Sequence, residues 1–218
     1  MASNKSGRVN FGLSDLANTF QLEINLLGKC SILENWLTAS YELDNVETQI
    51  LDELHKDIQI DGNYWNEEEL KIEMIGLMFR MAKVKEPNRI KVFYERELSA
   101  TVEGYELGVK ADCIVATPLP YNNPKAPYFF LQQYKKGRGE SKDPEAQMLT
   151  AMLIAQEKNN DNKPLYGSYL FGSRWTFTTL IGKSYCTSQE LNAIDKKEFL
   201  QIIFILRKLK ELILSDRE

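Results

Sequence analysis

The spacing of apolar residues changes period four times along this 218-residue chain, and few folds accommodate that order. Up to Met81 the apolar residues recur three and four apart, as on helices with one buried face. They are Leu33, Trp36 and Leu37, then Val46, Ile50, Leu51, Leu54 and Ile58, then Leu70, Met74, Leu77, Met78 and Met81. From Ile90 the period falls to two. Residues 90–102 and 105–117 read as strands joined by a turn at Glu103 and Gly104, and 128–136 as a third strand beyond a proline-rich loop. Helical spacing returns after Asp143 and Pro144 with Met148, Leu149, Met152, Leu153 and Ala155. Residues 165–171 and 174–181 then form a hairpin across Gly172 and Ser173, and 199–214 an amphipathic closing helix.

A helix between the third and fourth strands is a crossover, which lets those two strands run parallel. The expected class is α/β, a central mixed sheet flanked by helices. Residues 1–63 are expected as an N-terminal helical extension and 64–218 as the sheet domain. Local chemistry marks several boundaries. Asp44 and Asn45 can open a helix that Asp61, Gly62 and Asn63 close. Asn66 can cap the next helix, with Glu67, Glu68 and Glu69 in its first turn where the helix dipole favours acids.

Composition excludes several functions. A net charge of −4 and a pI near 5.3 argue against a surface coated in cations for nucleic acid, though not against a local groove. His55 is the only histidine, which disfavours histidine triads and multi-histidine metal sites. Cys30, Cys113 and Cys186 lie far apart without metal-type spacing, as in a reduced cytoplasmic chain. The first residues lack the apolar core of a signal peptide, and no apolar run approaches a membrane span.

The chemistry concentrates on the third strand. One side of it carries Phe129, Leu131, Gln133 and Lys135, so two apolar residues lead into an amide and an ammonium. Asp112, near the end of the preceding strand, is the natural partner, since Asp is depleted in strands. An Asp, an amide oxygen and a Lys on neighbouring strands form a metal-plus-ammonium site suited to phosphodiester hydrolysis. Lys136 points to the opposite side from Gln133. Glu67 lies on the apolar stripe one turn before Leu70 and can supply a further acid. Glu68, Glu69 and Glu73 are alternatives, as are the strand residues Glu95 and Glu97. A basic loop follows with Lys135, Lys136, Arg138 and Lys142, able to track a phosphate backbone or simply to be solvated. Trp175, Phe177, Tyr169 and Phe171 fit hairpin packing better than base stacking.

These residues resemble the PD-(D/E)XK nuclease superfamily, whose core runs helix, three-stranded meander, crossover helix, strand. Asp112 and the Gln133-to-Lys135 pair fill the places of its Asp and (D/E)-x-K motifs, with Gln133 where the family usually has an acid. Gly108 and Asp112 match a G-x-x-x-D form of the first motif. Residues 165–175 resemble a strand pair in the N-terminal nuclease domain of type I restriction R subunits. The resemblance spans roughly residues 64–214 and implies a restriction-endonuclease-like fold. It implies Mg²⁺ (or Mn²⁺) held by Asp112, Gln133 and Glu67, with Lys135 positioning the attacking water. It implies DNA, more than RNA, as partner, with Gln147 beside the lysine in contact with nucleic acid or with groups around the site; Lys136, Arg138 and Lys142 of the basic loop are the other expected contacts, and a homodimer stays open. Gln133 keeps a second reading open, a nuclease-fold module that no longer cuts and instead binds nucleic acid or protein.

Overall fold

The computed structural model describes residues 11–25, 30–136 and 143–215. Its helices are α1 (Leu13–Thr19), α2 (Ser31–Leu37), α3 (Asn45–Asp61), α4 (Glu67–Glu69), α5 (Leu77–Met81), α6 (Pro144–Asn159) and α7 (Lys196–Ser215), with a π-helical stretch, Leu70–Gly76, joining α4 to α5. The strands are β1 (Glu23–Asn25), β2 (Lys91–Val102), β3 (Tyr105–Leu119), β4 (Asn123–Lys135), β5 (Leu165–Phe171), β6 (Arg174–Ile181), β7 (Ser184–Thr187) and β8 (Leu191–Asn192). They form one mixed sheet in the order β1-β7-β6-β5-β4-β3-β2, with β8 also pairing β6. The pairs β4/β5 and β1/β7 are parallel and the remaining pairs antiparallel. The α/β class, a mixed sheet flanked by helices, is therefore present.

Each boundary has a local cause. The β2–β3 hairpin turns on Glu103 and Gly104, both at positive φ (47° and 86°), as a tight two-residue turn requires. The crossover helix α6 starts at Asp143, whose carboxylate accepts from the N–H groups of Glu145 and Ala146, with Pro144 opening the helix. Asp44 and Glu47 form a reciprocal capping box at α3.

Two cores cover the two faces. One gathers Trp36, Leu51, Ile58, Met74, Phe130, Phe177 and Ile205 beneath α2, α3, α4–α5 and α7. The other gathers Leu16, Leu131, Met148, Met152 and Tyr185 beneath α1 and α6. Described residues of the segment 1–63, expected as an extension, enter both: Leu33, Trp36, Leu51 and Ile58 the first, Leu16 and Phe20 the second. Trp36 donates its indole N–H to the Ile205 carbonyl at 2.8 Å and packs edge-on against Phe130, Tyr166 and Phe177. Strand β1 lengthens the sheet beside β7.

Some expectations need correction. Leu77 is 42% exposed and Ile75 is buried in its place. Each π-type bond spans one residue more than an α-type bond, so the π stretch rotates later residues around the axis. Val46 and Ile50 also face solvent, while α3 buries Glu47, Leu51, Leu54, His55 and Ile58. The His55 ring bonds the Ile194 carbonyl at 2.9 Å and lies against Phe199, a packing role. The region 118–127, expected as a loop, contributes the end of β3 and the start of β4.

Candidate functional site

The site is built on a place where two neighbouring strands stop pairing. Strands β3 and β4 pair through Val115↔Phe130, Ile114↔Leu131 and Cys113↔Gln132, and the ladder ends there, one residue before Asp112. On its other edge β4 stays paired to β5 through Lys135↔Phe171. Side chains bridge the opening. Asp112 Oδ2 accepts the Tyr134 N–H at 2.9 Å, and Gln133 Nε2 donates to the Lys110 carbonyl, also at 2.9 Å. The backbone groups released by the parted strands are thus satisfied by the two residues that the sequence marks as functional.

Strand β2 is distorted at the same level. Its register with β3 skips one position, between Tyr94↔Cys113 and Arg96↔Ala111, where Glu95 faces Asp112. Glu95 has φ +56°, a left-handed conformation that costs a residue other than glycine about 1–3 kcal/mol and that gathers at functional sites. Its carboxylate meets Lys110 Nζ at 2.5 Å and Lys71 Nζ at 3.4 Å, and accepts from the Tyr134 hydroxyl at 3.5 Å.

Lys135, 9% exposed, ends β4 with its Nζ 3.1 Å from Glu67 Oε1. Helix-cap chemistry selects Glu67 from its neighbours. Glu69 closes the capping box by accepting the Asn66 N–H at 2.7 Å, and Glu68 pairs with Lys71 at 2.5 Å. Glu73 and Glu97 are exposed. Glu67 thus joins Asp112, Gln133 and Lys135 in one neighbourhood, with Glu95, Lys71 and Lys110 on its flank.

The electrostatics follow from burial. Desolvation pushes the Asp112 carboxyl up to about 6; the Tyr134 N–H and the Lys135 charge pull it down, and Glu95 and Glu67 raise it further. Glu95 is also raised by burial, but Lys110 and Lys71 outweigh that and hold it below the usual carboxylate range. Tyr134 is pushed up by burial together with the Asp112 and Glu95 charges.

The side-chain oxygens available in this neighbourhood are those of Asp112 and Glu67 and the amide oxygen of Gln133, which is 1% exposed. The bond to Lys110 fixes the Gln133 amide, since only its nitrogen can donate to a carbonyl. Among the described residues, no group of three His, Cys, Asp or Glu side chains converges as a metal cage. Any cation here would keep an open shell.

The expected nucleic-acid contacts are not all gathered. Gln147 is half-buried on α6. Lys136 is exposed just past β4. Arg138 and Lys142 lie outside the described residues. Tyr169, expected from the sequence to pack in the hairpin, sits opposite Gln133 on β5 and extends the polar row across the sheet. Its hydroxyl bonds Glu145, which also accepts from Tyr185 at 3.0 Å. Trp175 and Phe177 are fully buried, whereas Phe171 is 39% exposed. No helix among the described residues is long and apolar enough to cross a membrane. Comparison with protein-family models and with curated proteins finds no match to the chain.

Proposed function

We propose that the opening between β3 and β4 hydrolyses phosphodiester bonds of nucleic acid, as a restriction-endonuclease-like site of PD-(D/E)XK type. The reading rests on one observation, the gathering of Asp112, Gln133, Lys135 and Glu67 where the strands part, with Asp112 raised to about 6. Groups with displaced proton affinities in a cleft are candidates for chemistry.

The donor set suits Mg²⁺ or Mn²⁺ rather than a caged metal. Mg²⁺ binds through one or two carboxylates and completes its shell with waters and substrate phosphate oxygens. Asp112, Gln133 Oε1 and Glu67 would hold it, and when bound it would supply Lewis-acid polarisation of the phosphate. The chain's own residues do the rest. Lys135 carries a nearly buried ammonium, aimed by Glu67, that can orient a water and offset charge growing on the phosphate oxygens. The Tyr134 N–H fixes one Asp112 oxygen and leaves the other for a ligand.

A second reading has its own support. Gln133 brings no charge, and the described residues hold no three-acid group, as in a module that binds nucleic acid without cutting it. Incubating the protein with single-stranded and duplex DNA and RNA in Mg²⁺ and in Mn²⁺ separates the two. The hydrolytic reading expects cutting that Lys135→Ala abolishes while the melting temperature holds. Inert wild type on every substrate and ion leaves the binding module.

A further inference from the structure

Beside the Lys135–Glu67 pair lies a cavity of about 330 Å³, lined in part by Asn63, Tyr64, Phe171, Gly172, Ser173 and Arg174. Both of its walls are continuous with the candidate site. The loop at 62–64 runs into Asn66 and Glu67, and the Tyr64 N–H bonds the Asp61 carbonyl at 2.8 Å. The opposite wall is the β5–β6 turn. There the Gly172 N–H bonds the Lys135 carbonyl at 2.8 Å, and Phe171 is the strand partner of Lys135. Whatever fills this cavity lies next to the groups proposed to act on a phosphate.

The cavity's chemistry is specific. Tyr64 is 85% exposed and Phe171 39%, although Trp175 and Phe177 of the same hairpin are at 0%. The fold hides two aromatic residues of the hairpin and leaves open the two that line the cavity. Polar groups accompany the rings. Asn63 is exposed, and the Arg174 guanidinium stands at the turn, 2.6 Å from Glu190. Ring faces with amide and guanidinium groups fit a flat heterocycle with polar edges. Beside a phosphate site, that heterocycle is a nucleobase.

A base offers its face only when unstacked from its neighbours, and aromatic platforms hold single strands in this way. The net charge of −4 points the same way. Without a blanket of cations over the surface, stacking would supply part of the affinity beside any local cationic groove. We infer that this cavity is a nucleobase subsite, stacking one unpaired base of a single-stranded nucleic acid on Tyr64 and Phe171. The inference rests on the nuclease-site reading for its choice of ligand, and its test is separable from that reading.

The test is fluorescence anisotropy in chelator, where nothing can be cut. The probes are a labelled thymidylate oligonucleotide, a strand of equal length made of abasic residues, and a duplex of equal length. Wild type should prefer the thymidylate strand to both others. Tyr64→Ala, in an exposed loop, should weaken thymidylate binding roughly 5- to 140-fold and leave abasic binding unchanged, with no change in melting temperature. Phe171→Leu, which keeps an apolar residue at the strand end, should act in the same direction. Equal binding of thymidylate and abasic strands by wild type overturns the subsite, as does tighter binding of duplex or an inert Tyr64→Ala. Competition by thymidine monophosphate as strong as by the oligonucleotide overturns strand selection in favour of a free-nucleotide pocket. Tyr64-dependent binding by a protein that cuts nothing in Mg²⁺ or Mn²⁺ keeps the subsite and removes the hydrolytic reading. Cutting of the thymidylate strand that Tyr64→Ala leaves unchanged, with binding of that strand also unchanged, does the reverse.

Discussion

Replacing Asp112 with Asn removes a charge and keeps an oxygen that can accept the Tyr134 N–H, now bonded at 2.9 Å. The carboxyl is raised from 3.8 to about 6, with burial the largest cause. At 1.36 kcal/mol per pH unit, the ionised form costs the fold about 3 kcal/mol. The sign follows from proton binding. Well below pH 4 the carboxyl is protonated in both states and costs little. Between about 4 and 6 the folded protein keeps a proton that the unfolded chain has lost, so stability falls as pH rises. Above about 6 the cost is constant. Urea unfolding in chelator, from pH 4 to 8, should find Asp112→Asn close to wild type at the acid end. By pH 7.5 the variant should be more stable by about 3 kcal/mol, with unchanged denaturant slope. A gain in stability on removing a site residue marks a charge kept for chemistry rather than for folding. If Asp112→Asn is instead less stable at pH 7.5, or differs from wild type by the same amount at every pH, Asp112 serves the strand opening and the argument for a tuned carboxyl fails.

Gly167→Ala should cost about 1–3 kcal/mol by overpacking, read by the same urea unfolding. A Cβ there would meet Met148 Sδ at 2.8 Å, Thr178 Oγ1 at 2.9 Å and Met152 Sδ at 3.0 Å, where α6 lies on the sheet. Among the thiols, Cys30 should react first with iodoacetamide at neutral pH, read by mass spectrometry of peptides. Burial pushes Cys30 up, but bonds from Cys186, the Leu33 N–H, Thr179 and the Ile32 N–H together hold it below its usual value. Burial and the bond to Cys30 push Cys186 up to about 11, and burial raises Cys113 well above the ordinary range. Equal labelling of all three would contradict this ordering.

The order of elements was legible because long segments repeat their period many times. The helices opening at Asp44, Asn66 and Asp143 carry caps within a residue of their starts, and Glu103 with Gly104 announces its own turn. The short strands were not legible. β1, β7 and β8 have two to four residues each, too few for alternation to stand out. They exist because tertiary pairing extends the sheet. The π stretch was hidden for a different reason. The residues 70–81 fit an ordinary helical stripe, and the exposure of Leu77 beside buried Ile75 marks where the wider π-type bonds turn the stripe.

The site was legible where polarity interrupts a buried strand, and not where geometry alone decides. Glu95 and Glu97 are equivalent by spacing, yet only Glu95 stands at the unpaired position opposite Asp112. For Gln133 the sequence shows only a neutral residue in an acid's place, and the structure adds what the amide does. It is 1% exposed, and its nitrogen donates to the Lys110 carbonyl at 2.9 Å. A carboxylate cannot donate that bond. Gln133→Glu would set two acceptors face to face in a desolvated position, which should cost about 1–3 kcal/mol in chelator at neutral pH. The same carboxylate would strengthen the opening's hold on a hard divalent cation. The melting temperature of Gln133→Glu should therefore fall in chelator and recover with Mg²⁺ or Mn²⁺ by more than that of wild type. Full stability in chelator would mean that the bond to Lys110 contributes nothing. A loss that neither ion reverses would mean that the opening, even with an added charge, is not a cation site, and the proposed hydrolysis would lose its metal.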